Sequence, residues 1–213
     1  MRRVSGGALS IFLLVRAVSD RFVDAAKSDP ELAFALLDNG APPPEWHVNA
    51  VRDHARKQEA LASAGVSLAA DTGELHDLGG AWDGLGRTLG ALGSDDANVF
   101  ALGSEVGDDE EAGIRALSST EAKAALAALE RLERAAIESA IRRALEASGT
   151  VAEQRRNPFT GEMVNVGGGA LYGVGSSTDD EIVAWLADSF DRLRAILRDA
   201  RDRGFGLALQ VVL

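Results

Sequence analysis

The chain has 213 residues, 46% of them hydrophobic, which is enough for a packed core and excludes intrinsic disorder as an overall description. Lys and Arg number 22 against 33 Asp and Glu; the net charge of −11 and a pI near 4.7 argue against non-specific nucleic-acid binding. There is no cysteine, so disulfides, thiolate catalysis and Cys-ligated metal sites are ruled out, and 3 histidines with 1 tyrosine leave the usual catalytic side chains thinly supplied.

The first apolar run, 8–15, follows Arg2 and Arg3 and imitates the centre of a signal peptide, but Arg16 ends it early and no small-x-small cleavage site follows. It is also too short to span a bilayer, which takes about 20 apolar residues. Ile11, Phe12, Leu13, Leu14 and Val15 read instead as a buried strand, and the protein as cytoplasmic. Ser19 then caps a helix with Phe22, Val23 and Ala26 on its apolar side. Asp29-Pro30-Glu31 breaks and restarts the helix, because proline is tolerated in a first turn and not mid-helix. Leu32, Phe34, Leu36 and Leu37 carry the pattern to Asn39-Gly40, which stops it. Pro42-Pro43-Pro44 makes a stiff extended connector. A moderately amphipathic helix over 48–64 closes on Gly65.

Residues 71–93 are rich in glycine, with a short helix expected around 82–89. The stretch 100–103 reads as a short strand or buried turn, and 105–111 as an acidic loop. Ser118 and Glu121 form a capping box, followed by the helical stripe Leu126, Leu129, Leu132, Ile137, Ile141 and Leu145. Glu130 with Arg134 and Glu138 with Arg142 have favourable i,i+4 spacing on the outer side. Unbroken, a helix over 119–147 would be roughly 43 Å long at ~1.5 Å per residue, the full width of a domain with a radius of gyration of about 17 Å. A bend or break is therefore expected at 132–136.

Residues 150–166 look like a hairpin, with Asn157-Pro158-Phe159-Thr160-Gly161-Glu162 supplying the turn and 163–166 alternating like a strand. A Gly-rich loop, 167–175, leads to the clearest helix. Thr178 and Glu181 cap it, and Ile182, Val183, Leu186, Phe190, Leu193, Leu197 and Ala200 form its stripe. Arg198, Arg201 and Arg203 suit the negative end of its dipole, and Gly204 stops it. An apolar strand, 207–213, ends the chain. The order of elements gives a single α+β domain over 1–213 with a small mixed sheet. Its first and last strands, apolar on both sides, belong inside that sheet as neighbours, covered by amphipathic helices.

Motifs that carry chemistry are few. The loop 167–175 departs from dinucleotide spacing at Tyr172 and lacks a Lys-Ser/Thr pair, so it reads as a connector. Asp71-Thr72-Gly73 matches an aspartic-protease triplet in letters, but no second triplet exists to share a proton with it, and a turn is the better reading. His76, Asp77 and Asp83 lack metal-site spacing, and the acids at 105–111 lack the alternating ligands of a Ca²⁺ loop. No cofactor or metal is assigned. Tryptophans are core or groove anchors more often than cofactor contacts. Trp185 belongs at the edge of the last helix's stripe, and Trp82, set among glycines 79, 80, 84 and 86, can wall a cleft or fill one.

Taken in order, several segments resemble the YfbM-like family of bacterial proteins of unknown function. Asp77-Leu78-Gly79-Gly80-Ala81-Trp82-Asp83-Gly84-Leu85 resembles the family's Asp-Leu-x-Lys-x-Trp pattern and the histidine after it. Phe100-Ala101-Leu102-Gly103-Ser104-Glu105-Val106-Gly107, Leu117-Ser118 leading into Glu121, and 182–213 resemble its later segments. The likeness spans most of the chain except 150–175, which looks like a hairpin and Gly-rich insertion. Gly80 stands where the family has lysine, and Asp83 and Gly86 where histidines are common, so an activity built on those groups would be missing here. The resemblance implies a compact α+β fold with no established activity, a polar cleft carried by Asp77, Trp82 and Arg115, and a role of the immunity type in bacterial toxin systems.

These readings favour a non-enzymatic binding protein whose acidic charge steers a basic protein partner, although the same charge also serves solubility. The alternative is a small-molecule enzyme or ligand-binding protein with a cleft near Trp82 formed by Asp77, Asp83 and Arg115. A homodimer burying its long helices is compatible with either; a nucleic-acid or membrane partner is not expected.

Overall fold

In the computed structural model, which describes residues 12–38, 40–79, 81–106, 114–149, 153–156, 163–166 and 179–212, the sheet is built around β1 (Phe12–Val18). This strand pairs on one side with β2 (Thr72–Asp77) and on the other with the last strand, β7 (Gly206–Val212). Beyond β7 lie β4 (Ile114–Leu117) and the two-residue β3 (Ser104–Glu105), giving the order β2-β1-β7-β4-β3. The expected partnership of first and last strands holds, and 8–11 lie outside the described residues. The sheet is antiparallel throughout, not mixed. Neither β2 nor β4 stands out in the sequence. Thr-Gly-Glu-Leu-His-Asp is a polar edge strand without a β-branched run, and Ile-Arg-Ala-Leu is too short to show a period.

Alternation along β1 divides the apolar side chains between two cores, because successive residues of a strand point to opposite faces. Leu13, Val15 and Ala17 join Leu207, Leu209 and Leu117 on one face. That face is covered by α5 (Ala81–Ala91), α6 (Ser119–Glu130), α7 (Arg134–Gly149) and α8 (Asp179–Arg203), through Leu85, Leu89, Leu126, Leu129, Ile137, Ile141, Leu186, Phe190, Leu193 and Leu197. Val18, Ile114, Ala116 and Ala208 face the other way, against Phe22, Val23 and Ala26 of α1 (Asp20–Ser28) and Leu32, Ala33 and Leu36 on and just after α2 (Pro30–Ala35). The sheet is thus sandwiched between helices. Two sheet strands that are apolar on both sides require this arrangement.

Local signals set most helix ends. Ser19 Oγ accepts from Phe22 N, and Asp29 Oδ1 accepts from Glu31 N ahead of Pro30 at the first turn of α2. The Ser118–Glu121 capping box forms in both directions. Helix α3 (Val48–Ala64) ends where Gly65 adopts φ 66°, the left-handed conformation that terminates helices. A single turn, α4 (Leu68–Asp71), leads into β2, so Asp71-Thr72-Gly73 is a helix-to-strand junction.

The expected interruption of the long helical stripe falls at 131–133, between α6 and α7. The i,i+4 pairs expected around it give way to pairs between helices. Glu130 accepts from Arg198 at 2.8 Å, and Arg142 reaches Asp180 at 2.7 Å. Arg134 pairs forward with Glu138 at 2.9 Å and across to Asp188 and Asp191 of α8 at 2.8 and 2.5 Å.

The hairpin forms as β5 (Glu153–Arg156) paired antiparallel with β6 (Met163–Val166); its turn and the Gly-rich loop 167–175 lie outside the described residues. Trp185 sits half-buried at the edge of the core, as its place beside Leu186 implies. Trp46 is not part of the chain's own core: it is 81% exposed, and Phe34 is also turned to solvent.

Candidate functional site

The residues expected to share a cleft are not all brought together. Asp77 pairs with Leu14, Leu14 with Gln210, and Gln210 with Ile114; Arg115 instead shares a cross-sheet row with Leu209, Val15 and His76. Asp77 and Arg115 therefore project from opposite faces, and β1 and β7 separate their strands by about 14 Å at ~4.8 Å per step. Trp82 and Asp83 occupy the first turn of α5, and their side chains lie outside the described residues.

Asp77 and Arg115 each have a local structural task. Asp77 Oδ1 accepts from Gly79 N at 2.7 Å, shaping the turn into α5, and its carbonyl accepts from Arg192 at 2.8 Å. The Arg115 guanidinium donates to the carbonyls of Leu102 at 3.3 Å and Gly103 at 3.2 Å and lies 3.6 Å from Glu105. It pins the turn before β3 onto β4.

A different concavity opens between edge strand β2 and helix α8. Glu74 and His76 face Arg192, Asp199 and Arg203 across a hollow of about 480 Å³ floored by Ala195 and Ile196. Much of its charge is already engaged: Arg203 lies 3.7 Å from Asp199 and stacks on the Phe205 ring at 4.8 Å, while Arg192 holds the Asp77 carbonyl. Among the described residues no three His, Asp or Glu side chains meet as a metal site, and no helix is long and apolar enough to cross a membrane.

The protein's charge is distributed unevenly. Residues 71–111 hold eleven carboxylates (71, 74, 77, 83, 95, 96, 105 and 108–111) and one base, Arg87, so this stretch accounts for −10 of the net −11. One of the carboxylates is internal. Asp71 is buried and receives Ser19 Oγ at 2.7 Å, Ser67 N at 2.9 Å and the Arg21 fork at 2.5 and 2.7 Å. Burial raises its pKa, but the Arg21 pair, the Ser19 hydroxyl and the Ser67 amide together bring it below the usual carboxylate range. Glu74, Asp77, Asp96 and Glu105 are exposed, and the stretch that carries them runs from one edge strand of the sheet, through α5, to the other. The sequence shows this bias only when charge is counted locally; the acidic loop expected at 105–111 is its last part, and 107–111 lie outside the described residues.

Comparison with family models, with curated proteins and with solved structures returned no significant match for this chain.

Proposed function

We propose that this protein is a non-enzymatic binding protein that engages a basic protein partner through the carboxylate-rich stretch between β2 and β3. The observation that supports this reading is the net charge of −10 carried by 71–111, with Glu74, Asp77, Asp96 and Glu105 exposed, although Asp96 lies 2.6 Å from Arg131 and Glu105 3.6 Å from Arg115. An excess of one sign of charge raises the local concentration of an oppositely charged partner and speeds encounter, and salt screens the effect over about 8–10 Å at physiological strength. A cationic nuclease-like toxin is a partner of the right chemistry. The resemblance to the YfbM-like family, an immunity-type role and a cytoplasmic site of action belong to the same proposal.

The test is affinity capture from cells of the native host at low and high salt, comparing the wild type with the triple variant Glu74→Gln/Asp77→Asn/Glu105→Gln. A basic protein retained by the wild type at low salt, and lost both at high salt and with the variant, supports the reading. Capture of no protein at either ionic strength overturns it.

A ligand-binding role is the second reading, and the hollow between β2 and α8 is the observation that favours it, with Glu74 and His76 facing Arg192, Asp199 and Arg203. It moves the expected cleft from Arg115 to the α8 side of β2. A small zwitterion that protects the chain against thermal unfolding, and fails to protect Arg192→Ala, would support it.

A further inference from the structure

We propose that the solvent-facing side of α3 is the interface of a two-fold homodimer, in which Trp46 of each copy fills the hollow beside the C-terminal end of the other copy's α3. Helix α3 is 17 residues long and buries one residue, Leu61. Its outward side carries Val48, Val51, Ala55, Gln58 and Ala62, all exposed and spaced alternately three and four apart. That spacing is the seam along which two helices pack. Val48 is 72% exposed and Val51 39%, so among the described residues nothing covers the seam.

Two further features stand at its ends. At the N-terminal end Trp46 projects with 81% of its surface exposed, its ring edge-on to that of its neighbour His47 at 5.6 Å. At the C-terminal end lies an open hollow of about 370 Å³ with a mixed polar and apolar lining, bounded by Gln58, Leu61, Ala62, Val66, Ser67 and Leu68. A knob and a hole at opposite ends of one helix fit each other only when two copies meet antiparallel.

The positions share one midpoint. Trp46 lies nine residues before Ala55, and the Ala62-to-Val66 side of the hollow lies seven to eleven after it. Val48 and Ala62 flank Ala55 by seven residues each. Arg52 and Glu59, both exposed at the rim of the seam, lie three before and four after, so each Arg52 meets Glu59 of the second copy. An isologous interface needs this self-complementarity, in which residue i of one copy meets residue j of the other and the reverse. A helix from an unrelated partner gives no reason for it. One helix pair and two indoles bury an area at the low end of specific interfaces, about 1,200 Å², the size of a reversible association rather than a permanent one. The residues of this surface are not among the exposed carboxylates at 74, 77, 96 and 105, and its test reads self-association alone, so dimerisation stands or falls independently of the proposed partner.

The test is sedimentation velocity and light scattering on the full chain over a concentration series. The wild type should be a reversible dimer. Trp46→Ala, Arg52→Glu and Glu59→Arg should each raise its dissociation constant by about tenfold or more, since each charge reversal sets like charges together at two symmetry-related places. The double variant Arg52→Glu/Glu59→Arg should recover the dimer, because the pairs re-form with their signs exchanged. All these positions face solvent, and an unchanged helical circular dichroism spectrum confirms the fold. A wild type that stays monomeric up to ~100 μM, a hundredfold above a micromolar dissociation constant, overturns the proposal. So does a dimer that none of the single changes weakens, or a double variant no tighter than the singles.

Discussion

Arg194 of α8 donates from Nε and Nη2 to the carbonyl of Leu129, at 3.2 and 2.8 Å, and so closes the end of a helix 65 residues earlier in the chain. The same Nη2 also donates to the Leu132 carbonyl, and Nη1 is held by Asp191 at 3.1 Å. The last carbonyls of a helix lack partners of their own and carry partial negative charge, so a buried cation is well placed there. The break at 131–133 is therefore fixed from α8, with Arg194 on the α6 side and Arg134 on the α7 side.

Arg194→Met keeps most of the buried stem and removes the donors. It should lower the free energy of unfolding by about 2–4 kcal/mol, the scale for orphaning carbonyls that had a charged donor. Urea denaturation measures this; a change below about 0.5 kcal/mol, as at an ordinary surface site, would mean that Arg194 does not hold the break.

Gly206→Ala should be among the most damaging single substitutions. A Cβ there would stand 2.0 Å from the Leu117 carbonyl oxygen, and backbone of a paired strand cannot yield as a flexible side chain can. The expected cost is about 3 kcal/mol or more, read as loss of the cooperative thermal transition or a large fall in its midpoint.

Asp71 makes stability depend on acid. Its pKa is depressed in the folded chain, so its contribution is present above the unfolded carboxylate pKa of about 4 and is lost as pH falls through the lower folded value. Asp71→Asn should reduce stability at neutral pH by about 1–3 kcal/mol, towards the low end because Arg21 is largely in solvent. The loss should shrink as the pH is lowered into the acid range. Parallel wild-type and variant stability curves from pH 7 to pH 2 would contradict this assignment.

Much of the fold is legible in the residues because the signals are local. Ser19, Asp29, Ser118, Gly65 and Gly204 mark helix ends by chemistry that acts within a few residues, and the stripe of α8 buries every position assigned to it. The β2 and β4 strands are not legible, since both owe their conformation to neighbours distant in sequence. Gly73, for example, lies in β2 with its carbonyl held by buried Arg16 of β1 at 2.8 Å. The same limit explains the cleft. Closeness in sequence groups Asp77, Trp82 and Asp83, but only strand order and register show that Arg115 lies beyond two strands and on the other face. Trp46 follows three prolines and precedes a helix, a context that matches a buried anchor as well as an exposed one.

Ser118→Ala should cost about 1 kcal/mol, the usual scale for an N-cap, because its hydroxyl accepts from Glu121 N and its own amide loses the orientation of the Glu121 carboxylate. Chemical denaturation tests this, and Ser118→Thr or Ser118→Asp should recover most of the loss.

Binding of a basic protein at the carboxylate-rich stretch is tested most directly by photo-crosslinking in the native host, with the reactive residue at position 74 and a control at exposed position 123 on α6. The account predicts one cross-linked protein of high pI at position 74 that is absent at 123 and fades as salt is raised. Equal cross-linking at both positions, or none at 74 in cells where the protein is expressed, would contradict it.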